Sequence, residues 1–154
     1  MRDPVAWLRR SRADRPKAYA VEYPPGATDD EQRDQVRALL NMLRPYGSEF
    51  QTDLPTFEEA PPAVVDARAF LRSLGGTKAE SEAYATTNLV DSADDRLWEG
   101  FVQVAPHAFS AEFWQGSRYL VSLADECQSV VVYLVPDSEL HAAVADRFDL
   151  RLLD

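Results

Sequence analysis

The chain has few of the residues that most often carry chemistry. One cysteine and two histidines occur in 154 residues. A lone thiol, Cys127, excludes an internal disulfide and a multi-cysteine zinc site. His141 has Ala145 at the i+4 position, so no helical histidine pair is available to hold zinc. The acids Asp91, Asp94, Asp95 and Glu99 lack the alternating ligand order and central glycine of a calcium loop. No metal and no cofactor are expected. The Gly75-Gly76 pair is not followed in frame by lysine and Ser/Thr, which rejects a phosphate loop. No dinucleotide fingerprint, internal repeat or low-complexity tract is present.

Long apolar runs are missing too. None approaches the roughly 20 residues a membrane-spanning helix needs. The opening MRDPVAWLRR lacks the continuous apolar segment of a secretory signal. A cytoplasmic location without a membrane span is therefore expected.

Positive charge is scarce. Sixteen basic residues face 26 acidic ones, for a net charge of −10. The deficit is uneven. Residues 1–17 hold six basic groups and two acids, which leaves 10 basic and 24 acidic residues beyond them. This divides the chain into a basic N-terminal arm, 1–17, and one acidic domain, 18–154. Such a body repels phosphate, which argues against nucleic acid as partner. It suits a basic protein partner, because complementary charge speeds association.

What is present is a pattern of strands and helices. FVQVAPHAFSAEFWQGSRYLVSLADECQSVVVYLV, residues 101–135, reads as a four-strand meander by its period-two alternation. Phe109, Ala111, Phe113, Tyr119, Val121 and Leu123 share one parity. A turn at Gln115-Gly116-Ser117 would set Phe113 opposite Tyr119. A turn over 125–127 would set Val131 opposite Val121. Ser110, Glu112, Trp114, Arg118, Leu120, Val130, Val132 and Leu134 would then form a second, mixed face. Further strands are expected at 18–23 and 148–153, the latter running parallel to 129–135 after a helical crossover.

Helices are expected at 29–44, 62–74 and 138–146. Thr28 and Glu31 form a capping box for the first. Pro61 and Pro62 open the second, and Asp137 or Ser138 caps the third. A further helix is expected from Thr77 to about Thr86, and a short one carrying Leu97 and Trp98 and ending at Gly100. The fold class is α+β, with a mainly antiparallel sheet of five to six strands and the helices packed on it.

Two places are candidates for function. The connection 48–61 is acidic and aromatic, and with Trp114 it offers Glu49, Phe50, Asp53, Phe57, Glu58 and Glu59 as a partner-binding patch. At the end of the meander, His107, Asp125 and Cys127 are the only residues placed to form a nucleophilic site. No family signature or oxyanion feature accompanies them, so no catalytic set is assigned. The reading the sequence favours is a non-catalytic protein-recognition module, of inhibitor or immunity type, that covers a basic target. The alternatives are a small-ligand domain or small enzyme with a pocket between sheet and helices, and a subunit that self-associates through the mixed sheet face.

Overall fold

The computed structural model describes residues 14–56, 59–74, 79–80 and 84–153, of which 79–80 are described by their backbone alone. Residues 1–13 of the basic arm, together with Phe57 and Glu58, lie outside the described residues, as does Thr77 of the second expected capping box. The fold is α+β. Seven strands form one antiparallel sheet: β1 (Lys17–Glu22), β2 (Glu49–Thr52), β5 (Val90–Asp91), β6 (Ser110–Gln115), β7 (Arg118–Ala124), β8 (Ser129–Leu134) and β9 (Asp149–Leu152). Their order is β5-β2-β6-β7-β8-β1-β9. A separate two-stranded ribbon pairs β3 (Ala79–Glu80) with β4 (Ala85–Thr86). It stands where a helix from Thr77 was expected, in a stretch with too little apolar surface to hold a helix against the body. Among the described residues there are four α-helices, α1 (Asp29–Leu43), α2 (Pro62–Ser73), α3 (Asp95–Val104) and α4 (Glu139–Arg147).

Local chemistry fixes the helix starts. The Glu31 amide donates to Thr28 Oγ1 at 3.2 Å and the Thr28 amide to Glu31 Oε2 at 2.7 Å, completing the capping box of α1. Asp94 caps α3 through the Arg96 and Leu97 amides. Ser138 caps α4 through the His141 amide. Helix α3 runs past Gly100, which does not end it. An added Cβ there would meet Leu71 at 3.4 Å and Phe70 at 3.5 Å, so the bare backbone lets α2 lie close against α3. Residues 101–104 are accordingly helix, and the first expected meander strand does not exist. Leu97, Trp98, Phe101 and Val104 recur at helical spacing. The alternation of Phe101 and Gln103 within them is too short to distinguish a strand from a helix end.

The core lies between the sheet and α1 and α3. Val36, Leu39, Leu40 and Leu43 of α1 meet Phe50, Phe113, Val121 and Val132 of the sheet, all essentially inaccessible to solvent. Phe50 stacks on Phe101 with ring centroids 4.3 Å apart, and Trp98 lies 4.8 Å from Phe113. Trp98 Nε1 donates to Asn41 Oδ1 at 2.9 Å, so the one polar atom of that ring is satisfied. Each such ring contributes roughly 1.5–3 kcal/mol by leaving water.

The register differs from the sequence reading at both turns. Phe113 faces Val121, and the hairpin closes through two residues, with Gln115 opposite Arg118. Gly116 takes the first turn position with φ +59°, a conformation that favours glycine. A bulge between Phe113 and Trp114 then sets Trp114 opposite Tyr119. At the next turn Val121 faces Val132 and Ser122 faces Val131, because residues 125–128 form a four-residue connection. That one-residue slip exchanges the faces of β8. Val130, Val132 and Leu134 point into the core and Val131 and Tyr133 point away, the reverse of the expected assignment. Leu120 is buried as well, and Phe109, expected inside, is 52% exposed. Strand β9 runs in the same direction as β8, with β1 between them and antiparallel to both.

Candidate functional site

The two sets of residues singled out from the sequence have different fates. Of the acidic patch, Glu49 and Phe50 belong to β2 and not to a loop. Phe50 is fully buried in the aromatic core and offers nothing to a partner. Asp53 is 2% exposed. Its carboxylate accepts the Phe109 amide at 3.0 Å and the Ser110 amide at 3.1 Å, so it anchors the start of β6. Burial pushes its carboxyl above the usual range, and those two amides oppose the shift. Glu59 is exposed but stands apart from the sheet strands. Glu49 and Trp114, however, are direct cross-strand neighbours on β2 and β6.

The turn 125–127 does meet the chain around His107. The Asp125 amide donates to the Phe109 carbonyl at 3.0 Å and the Glu126 amide to the Ala108 carbonyl at 2.9 Å, extending the β6–β7 ladder. The chemistry there is unlike that of a nucleophilic site. Cys127 is 1% exposed, and burial pushes its thiol up. A reactive cysteine needs the reverse, an accessible and stabilised thiolate. His107 Nε2 lies 3.5 Å from Arg37 Nη2. Burial, with Arg33 and Arg37 nearby, pushes the imidazole down to about 4. The Tyr23 hydroxyl donates to the Cys127 carbonyl, and burial pushes that phenol up. Asp125 is exposed on the turn, which it enters with φ 53°. His141 stacks on Tyr19 with centroids 5.0 Å apart, and its Nδ1 accepts the Asp137 amide.

The other face of the sheet carries a different surface. In one row, strand pairing runs from Asp91 through Glu49 and Trp114 to Tyr119, a ring contact joins Tyr119 to Tyr133, and Tyr133 pairs with Ala18. The Trp114 and Tyr119 rings are 4.1 Å apart, and those of Tyr119 and Tyr133 are 5.8 Å apart. Tyr119 is 39% exposed. The next row runs from Gln51 through Glu112, Ser122, Val131 and Ala20 to Arg151. The middle of that row, Ser122, Val131 and Ala20, carries smaller side chains than the aromatic residues beside it. The negative charge of Glu112, with lesser contributions from burial and Tyr133, raises the pKa of the Tyr119 phenol. No described helix is buried against this face, since the apolar sides of α1, α3 and α4 join the core on the opposite one.

Two concavities adjoin these elements. A cleft of about 530 Å³ opens at the acidic end of the row and shares Glu49 and Asp91 with it. Arg44 lines it, donating to the Ser92 and Ala93 carbonyls and to Asp95 at 2.8 Å. A groove of about 410 Å³ lies between α2 and α3, where Arg96 sits 4.1 Å from the Phe70 ring centroid. Among the described residues, no three His, Cys, Asp or Glu side chains gather where they could hold a metal ion. No described helix is long and apolar enough to cross a membrane. Comparison of the chain with family models, curated proteins and solved structures finds no match.

The sequence reading does not bring Tyr119, Tyr133, Glu112 and Asp91 together: it weighs Asp91 only as a metal ligand and places Glu112 on a different face from Tyr119. Tyr119 shares its parity with Val121 and Leu123, which are core residues, and only the bulge turns it outward. No residue type announces that bulge.

Proposed function

We propose that the protein is a non-catalytic recognition module that binds a basic protein through the face of the sheet carrying Trp114, Tyr119 and Tyr133. Inhibitor or immunity-type action, in which an acidic chain covers a basic target, is the form of recognition that fits. The supporting observation is the aromatic row, bounded by Glu49 and Asp91 and backed by Glu112, on the face opposite the helices. Aromatic side chains anchor protein interfaces because they bury much apolar area at little entropic cost; in this row Tyr119 is exposed, and Trp114 and Tyr133 are half-buried. The net charge of −10 gives the long-range attraction. The buried, protonated Cys127 and the neutral His107 support a role without covalent catalysis.

The test is capture from a lysate of the native host on the immobilised full-length chain, at low and then high salt, with wild type beside Val131→Asp. Val131 lies in the row beside the aromatic one, and a buried unpaired carboxylate there opposes docking. The expected result is a basic protein held by wild type, released by salt and lost by the variant. Equal retention by both would remove this face from the account.

A further inference from the structure

We infer that the partner's contact segment presents an arginine, whose guanidinium stacks on the Trp114–Tyr119 pair and bonds to the carboxylate of Glu49. This rests on the recognition reading above and specifies the chemistry recognised. Three observations carry it. The first is the aromatic row itself, with three rings in sequence and Tyr119 the most open to solvent. The second is the charge beside it. Glu49 stands directly opposite both Trp114 and Asp91, and Glu112 acts on the Tyr119 phenol. Like charges paired across strands repel, and a bound cation relieves that repulsion. Among the described residues, neither Glu49 nor Asp91 is in an ion pair. The third is that, among the described residues, the cationic side chains nearby are engaged elsewhere or sit at the margin. Arg44 is held by Asp95 and two carbonyls, Arg151 by Glu22, and Arg118 lies at the hairpin tip opposite Gln115.

Arginine fits this surface better than lysine. Its planar, weakly hydrated guanidinium stacks on a ring and still offers a fork of N–H donors to a carboxylate. An ammonium has the same charge but no plane. Nucleobases also stack on aromatic ridges of open sheets. Here the ridge ends in Glu49 and Asp91, with Glu112 behind it, and these repel the phosphates that a nucleic acid would bring.

The experiment follows the three tryptophan indole N–H signals of the full-length chain by NMR, assigned by single substitutions. The probes are capped six-residue peptides of arginine, lysine or glutamate. The expected result is that the arginine peptide moves the Trp114 signal and binds about 5-fold tighter than the lysine peptide. Tyr119→Ser should abolish that preference, Glu49→Gln should weaken both cationic peptides, and the glutamate peptide should leave the signal in place. Tyr119 is exposed enough for its substitution to leave the fold intact, whatever becomes of Trp114 variants.

Equal binding of the two cationic peptides without movement of Trp114 would overturn the inference, since charge alone would explain it. So would movement of the Trp114 signal by Trp7→Ala with no peptide present, which would make the chain's own N-terminal segment the occupant. A Trp114 signal that moves with protein concentration would assign the face to a second copy, with the same consequence. If Val131→Asp loses the captured host protein while the arginine peptide leaves Trp114 unmoved, this inference falls and the basic-partner reading stands. If neither effect is seen, both fall.

Discussion

The Trp114 ring lies against that of Tyr119, centroids 4.1 Å apart, because a bulge between Phe113 and Trp114 shifts the register of β6 on β7. Without it Tyr119 would follow the parity of Val121 into the core. Bulges commonly re-aim side chains next to functional sites. Here the bulge moves a phenol from the apolar layer to the outer face, beside Glu112.

That proximity has an electrostatic consequence. The Glu112 carboxylate disfavours the phenolate of Tyr119 and raises its pKa. Glu112→Gln should therefore lower the pKa of Tyr119 while leaving its ring in place. Titration of the tyrosine Cζ resonances checks this. An unchanged Tyr119 midpoint in the variant would place the carboxylate elsewhere.

The buried imidazole sets an acid limit on stability. His107 titrates near 4 in the folded chain, against 6.5 for a free histidine. Between those values the unfolded chain holds a proton that the folded one does not. Stability is therefore full above about pH 6.5 and falls as pH drops toward 4, by at most about 3 kcal/mol from this group. The carboxylates add slopes of their own, so the informative quantity is a difference. Urea unfolding across pH 4–7 should show a steeper loss for wild type than for His107→Gln, and parallel curves would rule out a depressed histidine.

Gly47 is held by contact. A Cβ built on it falls 2.2 Å from Cζ of Phe113, a ring fixed among Trp98 and other core groups. Gly47→Ala should cost about 1–3 kcal/mol through overpacking. Its backbone φ of −112° is open to any residue, so the loss would report the ring contact alone. A denaturation midpoint equal to that of wild type would mean the ring can move aside.

The turn between β7 and β8 stores backbone strain. Asp125, Glu126 and Cys127 have φ of 53°, 55° and 60° in succession. Each non-glycine residue in that region costs roughly 1–2 kcal/mol. Glu126 is exposed, and Glu126→Gly should stabilise the protein by about 0.5–1 kcal/mol, after allowing for the greater freedom of glycine when unfolded. Thermal unfolding would show a raised midpoint. A lowered one would mean the Glu126 side chain holds the turn.

Local signals made much of this fold legible. The Thr28–Glu31 box and the spacing of Val36, Leu39, Leu40 and Leu43 identify α1, and both reappear in the structure. The alternation of Tyr19 and Val21 identifies β1. Register was not legible, because it depends on whether a turn contains two, three or four residues. One residue at 125–128 decided which face of β8 is buried. Strand β2 was hidden in an acidic stretch whose inward residues are only Phe50 and Thr52. Of the candidate site, Glu49 and Trp114 were found, but for membership of a loop patch. Their adjacency is a property of the β2–β6 pairing, which joins residues 65 positions apart and which no local pattern encodes.

The most direct measurement is the affinity of the captured partner, once purified, for three chains: wild type, Val131→Asp on the outer sheet face, and Glu99→Gln on α3 in the opposite layer. Recognition through the outer sheet face predicts a loss of about 100-fold or more for Val131→Asp, from desolvating an unpaired carboxylate, and wild-type affinity for Glu99→Gln. If Val131→Asp binds as wild type does, or if Glu99→Gln is the variant that fails, the partner sits on the helices and the account of the aromatic face is wrong.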